Sequence, residues 1–256
     1  MTDYLVFRLY GPLASWGEIA VGESRHSAVQ PSKSALLGLI GAALGIRRDD
    51  EAGQAALASG YRFGVKLIGV GTPLRDFHTV QIPAAQRKVV YRTRRQEVSN
   101  RDRLGTLLSA REYRCDSLAV IAAEALPAAP ATLEQVAQAL RQPHFTLYLG
   151  RKSCPLAEPL RPQQVQAETL RQALDHTEQP SLLALLTKFP QQAWPTAADQ
   201  RHLGADGPAR YYWEQGMLAG MEPGMRLARR DQPLSRTRWQ FAPRSEAVWL
   251  DGGSAA

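Results

Sequence analysis

Two apolar segments that read as strands, Tyr61 to Val70 and Asp116 to Ala125, are separated by sequence that no hydrophobic core accepts. From Arg75 to Arg114 the chain carries ten lysines and arginines against four acids. The segment is too long for a tight hairpin turn, and loops of that length are usually functional or disordered. The two strands can be neighbours only if what lies between them leaves the body of the protein as an arm.

The flanking sequence supplies the rest of a small fold. Tyr4 to Tyr10 alternates Leu5, Phe7 and Leu9 with Tyr4, Val6, Arg8 and Tyr10, the period of a half-buried strand, and ends at Gly11-Pro12. Pro31-Ser32-Lys33-Ser34 opens an apolar segment with Ser32 as N-cap, which predicts a helix of about three turns. Gly38, Gly41 and Gly45 fall on one face of it, where another backbone could approach. Thr132 caps a second helix with Leu133, Val136, Ala137 and Leu140 on one face, and Phe145 to Leu149 reads as a strand ending at Gly150. The order is β-α-β-β-α-β, an α+β ferredoxin-like arrangement shared by RNA-recognition motifs. Residues 1–160 form that domain, with the arm inserted at about 75–114. Residues 161–256 read as a small C-terminal region, helical at Pro180 to Phe189 and strand-forming from Arg226 to Leu250.

The net charge of +7 and a pI near 9.7 favour an anionic partner. The arm contributes six of those seven charges, and a second stretch, Arg226 to Arg244, has six arginines against the single acid Asp231. A charge run is commonly only a solvated face. Arginine in place of lysine favours phosphate, since the planar guanidinium pairs with it bidentately and stacks on bases. A hydrophobic content of 44% excludes a disordered chain. Cys115 and Cys154 lack the spacing of a metal site, and no cofactor motif is present. The first residues carry no leader signature, and the apolar run Ala35 to Ile46 is too short to span a bilayer, so a cytoplasmic protein without a membrane role is expected.

Three places point to nucleic acid. Ser32, Lys33 and Ser34 open a helix, where unpaired N–H groups suit a phosphate, although ordinary capping accounts for them equally well. The P-loop is excluded because Gln30-Pro31-Ser32 precedes Lys33 where glycine is required. Tyr148-Leu149-Gly150-Arg151-Lys152 sets an aromatic, a glycine and two cations at the end of a strand, able to stack a base and clamp its phosphate; this is favoured over a core tyrosine followed by a solvated turn because Gly150 permits close backbone approach to a ligand. In the arm, Arg92, Arg94 and Arg95 cluster, and Arg111-Glu112-Tyr113-Arg114 closes it, either reaching toward Tyr148 or pairing around Glu112. Tyr61-Arg62-Phe63-Gly64 is a poor match to an RNA-stacking strand, and Phe63 reads as core. For catalysis, His26, His78, His144, His176 and His202 are scattered. His26 or His78 with Lys33 is the one acid-base set available for metal-free RNA cleavage.

Four motifs in order carry a resemblance. Leu9-Tyr10-Gly11-Pro12-Leu13-Ala14-Ser15-Trp16-Gly17, Pro31-Ser32-Lys33-Ser34-Ala35-Leu36-Leu37-Gly38 running to Leu44-Gly45-Ile46, Arg111-Glu112-Tyr113-Arg114-Cys115-Asp116 and Tyr148-Leu149-Gly150-Arg151-Lys152-Ser153-Cys154-Pro155 resemble the CasD branch of the fifth Cas family, found in subtype I-E. The resemblance implies a modified RNA-recognition (RAMP) fold with a protruding thumb, which the arm would be. It implies a non-catalytic subunit bound to the 5′ handle of the CRISPR RNA (crRNA), capping the backbone of the Cascade surveillance complex in antiviral defence. The partners it implies are a neighbouring backbone subunit, the large PAM-recognising subunit and, through the assembled ribonucleoprotein, target DNA. Arg111 and Tyr148 match positions that contact handle bases, and Lys33 and the Gly150 loop match RNA-facing elements. Type I-C relatives cut precursor crRNA themselves, so a metal-independent endoribonuclease is the alternative, and a general nucleic-acid chaperone a third. Ala167 to Gly224 has little counterpart in the family.

Overall fold

The computed structural model describes residues 1–85, 89–176 and 208–250. In chain order its elements are β1 (Thr2–Ala14), β2 (Trp16–Gly17), β3 (Ser24–Arg25), β4 (Ser27–Ala28), α1 (Lys33–Leu44), α2 (Glu51–Gly60), β5 (Tyr61–Gly69), β6 (Thr72–Pro83), α3 (Arg94–Glu97), β7 (Leu104–Ala125), α4 (Leu133–Arg141), β8 (Gln163–Ala167), α5 (Leu170–Asp175), β9 (Arg210–Glu214), β10 (Met225–Ser235) and β11 (Gln240–Leu250).

The core of the main sheet is the antiparallel run β5-β7-β1-β8. Numbered as the four strands of a β-α-β-β-α-β unit this is the order 2-3-1-4 of a ferredoxin-like fold, with each helical crossover passing over one intervening strand. Ser32 caps α1 by accepting from the Ala35 N–H, and Thr132 caps α4 in a reciprocal capping box with Gln135. Leu36, Leu37 and Ile40 of α1 and Val136 and Leu140 of α4 pack onto Leu5, Phe7, Leu9 and Ile121. Phe63 is part of this core.

The second face of the sheet is covered as well. Tyr4, Val6, Val120 and Ala122 lie under Leu170 and Leu174 of α5, beside Trp213 and Met217. Tyr4 through Leu9 are therefore all buried, and β1 is not the half-buried strand its alternation predicts. Nor does β1 stop at Gly11-Pro12. The register passes from Gly11 opposite Ser117 to Leu13 opposite Cys115, so Pro12, with no N–H to donate, lies across from Asp116, whose φ is 56°.

Phe145 to Leu149 is not the fourth strand. The N–H groups of His144 and Phe145 donate to the Ala43 and Ala42 carbonyls at the end of α1, and that of Leu149 donates to Cys154 O, so these groups serve a helix end and a loop in place of a ladder. The fourth strand is β8, whose Gln-Gln-Val-Gln-Ala sequence buries only Val165 and Ala167. The three α1 glycines admit no neighbouring backbone. A Cβ at Gly38 would meet the Arg236 guanidinium and one at Gly41 the Leu57 side chain of α2, whereas Gly45 ends the helix at φ 79° against His144.

From the β5 edge the sheet continues through β9, β11 and β10, so the position 160 does not separate two sheets. The alternation from Arg226 to Leu250 forms β10 and β11, whereas Pro180 to Phe189 lies outside the described residues. The inserted arm is a ribbon. β6 pairs with the outer half of β7 from Thr72 opposite Cys115 to Pro83 opposite Leu104, about 35 Å of antiparallel ladder, flanked at its base by β1 and β3. Because β7 runs unbroken from ribbon into sheet, the arm extends the sheet and does not fold back over it.

Candidate nucleic-acid interface

The start of α1, expected to receive a phosphate, is filled by the chain's own carboxylates. Lys33 N donates to Asp231 Oδ2 at 2.8 Å, and Lys33 Nζ lies 2.6 Å from Glu214 Oε2. Asp231 is also gripped by Arg244, through Nε at 2.6 Å and Nη2 at 2.8 Å, and Arg244 Nη2 reaches Glu246 Oε1 at 2.6 Å. Lys33 is 6% exposed, Ser32 is buried, and the Ser32 and Ser34 hydroxyls bond one another at 3.1 Å. Ser32, Lys33 and Ser34 are thus a cap and an internal ion pair, because strands β9 to β11 bring three acids under the helix end. Burial pushes the Glu214 carboxyl up, with Lys33 opposing it.

The Gly150 loop is exposed at its tip and anchored at its root. Leu149 is buried, its carbonyl accepting from Ser15 N at 3.0 Å. Gly150 sits at φ 82°, and a Cβ there would lie 1.9 Å from the Ser15 carbonyl oxygen. The glycine admits the chain's own backbone, not a ligand. Tyr148 is 37% exposed and Lys152 is exposed, while the Arg151 guanidinium stands 5.3 Å from the centre of the Tyr113 ring.

Tyr113 belongs to β7 at the base of the arm, two residues from Arg111 and so on the same face. Arg111 is paired in register with Asp76 of β6 and Arg25 of β3. Arm base and Gly150 loop therefore meet. Glu112 points to the opposite face, where Arg75 Nη2 lies 2.7 Å from it and His26 Nδ1 3.2 Å. The hydrogen bond from Arg75 is the main reason that its carboxyl lies below the usual range. Arg25, unremarked in the sequence, is found only through the parallel pairing of β3 with β7. Toward the tip, Arg94 is committed to Glu97 at 2.6 Å and to the Gln81 carbonyl, whereas Arg92 and Arg95 are exposed. Between base and tip the ribbon exposes Phe77, Leu107 and Leu108.

The acid-base set does not assemble. His78 Nε2 pairs with Asp76 at 2.8 Å on the Arg111 face of the ribbon, His26 lies with Glu112 on the other, and Lys33 is buried beneath α1. The open sheet face that recognition motifs use for stacking bases is occupied by α5, so the exposed cations and aromatics lie off that face, among them those of the arm and its adjoining loop. Among the described residues no cluster of His, Cys, Asp or Glu is placed to hold a metal, and no helix is long and apolar enough to cross a membrane.

Known proteins share this architecture. The chain is 35% identical to the CRISPR system Cascade subunit CasD of Escherichia coli (strain K12) over 169 residues, 62% of this chain and 70% of that one. Its fold is similar to a chain of a CRISPR RNA-guided surveillance complex, with a TM-score of 0.61 at 21% identity, covering 97% of this chain and 90% of that one. It is similar too to the crystal structure of a Cas protein, with a TM-score of 0.55 at 24% identity, covering 97% and 94%. Residues 4–245 match the family described as CRISPR-associated protein (Cas_Cas5), and the chain belongs to that family.

Proposed function

We propose that this protein is a non-catalytic crRNA-binding subunit of a type I-E Cascade complex in the cytoplasm, gripping the 5′ handle and capping one end of the backbone. The observation that carries this reading is the junction of the Gly150 loop with the base of the arm. There Arg151 stands over the buried Tyr113 ring of the arm base, Tyr148 and Lys152 are exposed on the same loop, and Arg111 shares the Tyr113 face of β7. Aromatics interleaved with guanidinium groups bind unpaired bases by stacking and the backbone by charge. Arg92 and Arg95 at the arm tip supply further phosphate contacts, with Arg94 held back by its bond to Glu97.

The arm's exposed Phe77, Leu107 and Leu108 suit the neighbouring backbone subunit, since an isolated two-stranded ribbon with apolar side chains gains from burying them. The large PAM-recognising subunit meets another surface, and target DNA is reached through the assembled complex. The test is to mix the purified chain, free of metal, with handle-containing precursor RNA and a scrambled control. Selective binding with intact RNA is expected, and Tyr148→Ala should cost about 1 to 3 kcal/mol of handle affinity. Equal binding of both RNAs, or cutting at the handle, would overturn the reading in favour of a chaperone or an endoribonuclease.

A further inference from the structure

Between β10 and β11 the chain turns through Arg236, Thr237, Arg238 and Trp239. Trp239 adopts φ 58°, the left-handed conformation that glycine or asparagine takes in hairpin loops without strain. Its ring is nevertheless held out, 58% exposed. A bulky aromatic kept in a strained, exposed position points to a use for that side chain.

Two guanidinium groups gather on this ring. Arg48 stands 4.3 Å from its centre and Arg236 5.2 Å, while Phe241 meets it edge to face at 5.5 Å. Arg48 Nε donates to the Arg236 carbonyl at 3.3 Å, so the two arginines are tied together despite their like charge. Among the described residues neither is paired with a carboxylate. Glu51 beside the turn is taken up by the Ser235 hydroxyl and the Thr237 N–H, each at 3.0 Å, and Asp49 is paired with Arg47. Arg236 Nε is buried with no acceptor, and its guanidinium rests over Gly38 of α1. Burial and the Arg48 charge lower the Arg236 pKa, and the phenol of Tyr148 is near enough to oppose them. Like charges side by side, one with an orphaned donor, call for an anion to complete them.

We propose that Arg48, Arg236 and Trp239 form a second single-strand contact that takes a phosphodiester of the RNA leading away from Tyr148. The succession of Tyr148, paired guanidinium groups and Trp239 matches the base, phosphate, base succession of an unpaired strand, which an acidic peptide lacks. This rests on the RNA reading of the Tyr148 loop and carries the strand from there across α1 to the β10–β11 turn.

The test uses the full chain, fluorescence anisotropy with handle RNA and with single-stranded DNA of the same sequence, and a series of salt concentrations. Arg48→Gln, an exposed position whose change leaves the melting temperature as it was, and Trp239→Ala should each weaken RNA binding by about tenfold. Arg48→Gln should also flatten the salt slope by about 1. Unchanged RNA affinity and slope in both variants, while Tyr148→Ala still weakens binding, would overturn the second contact alone. A loss confined to DNA would overturn it too. If Tyr148→Ala also changes nothing, the RNA reading of the loop falls with it.

Discussion

The two arginine-rich stretches look alike on paper, yet the second sends two of its arginines, Arg229 and Arg244, inward to acids. At the arm tip, between β6 and β7, Arg92 and Arg95 are exposed. From the second stretch, Arg244 turns inward to Asp231 and Glu246, and Arg229 lies 3.6 Å from Glu18 and 3.8 Å from Glu246. What differs is the neighbour. Among the described residues β6 pairs with the outer half of β7, whereas β10 lies against α1 and α2, and its Asp231 and the Glu246 of β11 meet Arg244. Arginine density therefore marks a partner only at the positions where the chain supplies no acid, as at Arg92 and Arg95 in the arm and Arg236 in the second stretch.

The difference should be plainest in stability. Asp231→Ala removes the acceptor of the Lys33 backbone N–H and two of the three bonds that hold the Arg244 guanidinium, which keeps Glu246 alone. A loss of about 3 to 5 kcal/mol is expected by urea denaturation; a loss below about 1 would mean that the second stretch is no more internal than the first.

Lys33→Met tests the same network with a pH signature. Glu214 has a folded pKa raised by burial, so its ionised form is disfavoured and stability falls as pH rises from the ordinary carboxylate range through that raised value. Lys33 moderates this penalty. Without it the cost is about 3 kcal/mol at neutral pH, shrinking as the pH is lowered toward 5. Adding Glu214→Gln should recover most of the loss, because the buried charge leaves with its partner. A deficit independent of pH, in stability measured from pH 5 to 8, would exclude the charge pair as its cause.

On the arm the expected pattern reverses. Arg92→Ala with Arg95→Ala should leave stability within about 0.5 kcal/mol yet lower RNA affinity about tenfold and reduce the salt slope by about 2. The smallest effect belongs to Arg75→Ala, which breaks an exposed pair with Glu112 at a cost below about 1 kcal/mol. Glu112's depressed pKa gives stability above its ordinary carboxylate value that is lost as the pH falls through the folded one. The Arg75 variant should therefore lose less on acidification than the parent chain in thermal melts at pH 3 to 7.

Local chemistry explains which elements were legible. Thr132 and Ser32 announce α4 and α1 because a cap is a contact between residues three apart. The strands Tyr61–Gly69 and Asp116–Ala125 show because their apolar residues are contiguous. β8 and α2 stay hidden: Gln163–Ala167 is mostly polar, and Glu51–Gly60 is rich in alanine and glycine, so neither has a face that stands out until its neighbours are known. Phe145–Leu149 misleads for the opposite reason, since an apolar run can bury its side chains while its backbone closes a helix end.

For the site, Arg111, Tyr148, Arg151 and Lys152 were readable as an aromatic and cationic set, and the structure brings loop and arm base together. Ser32, Lys33 and Ser34 were readable only as a helix start; their carboxylate partners lie some two hundred residues away, at Glu214 and Asp231. By itself the sequence determined the β-α-β-β-α part of the order, the caps and the polar arm, because these depend on period, spacing and solubility within short windows. Tertiary structure alone decided which cations face solvent, that α5 closes the second sheet face, and that Arg48 meets Arg236 on Trp239. Those outcomes rest on pairings between distant strands, which no local pattern encodes.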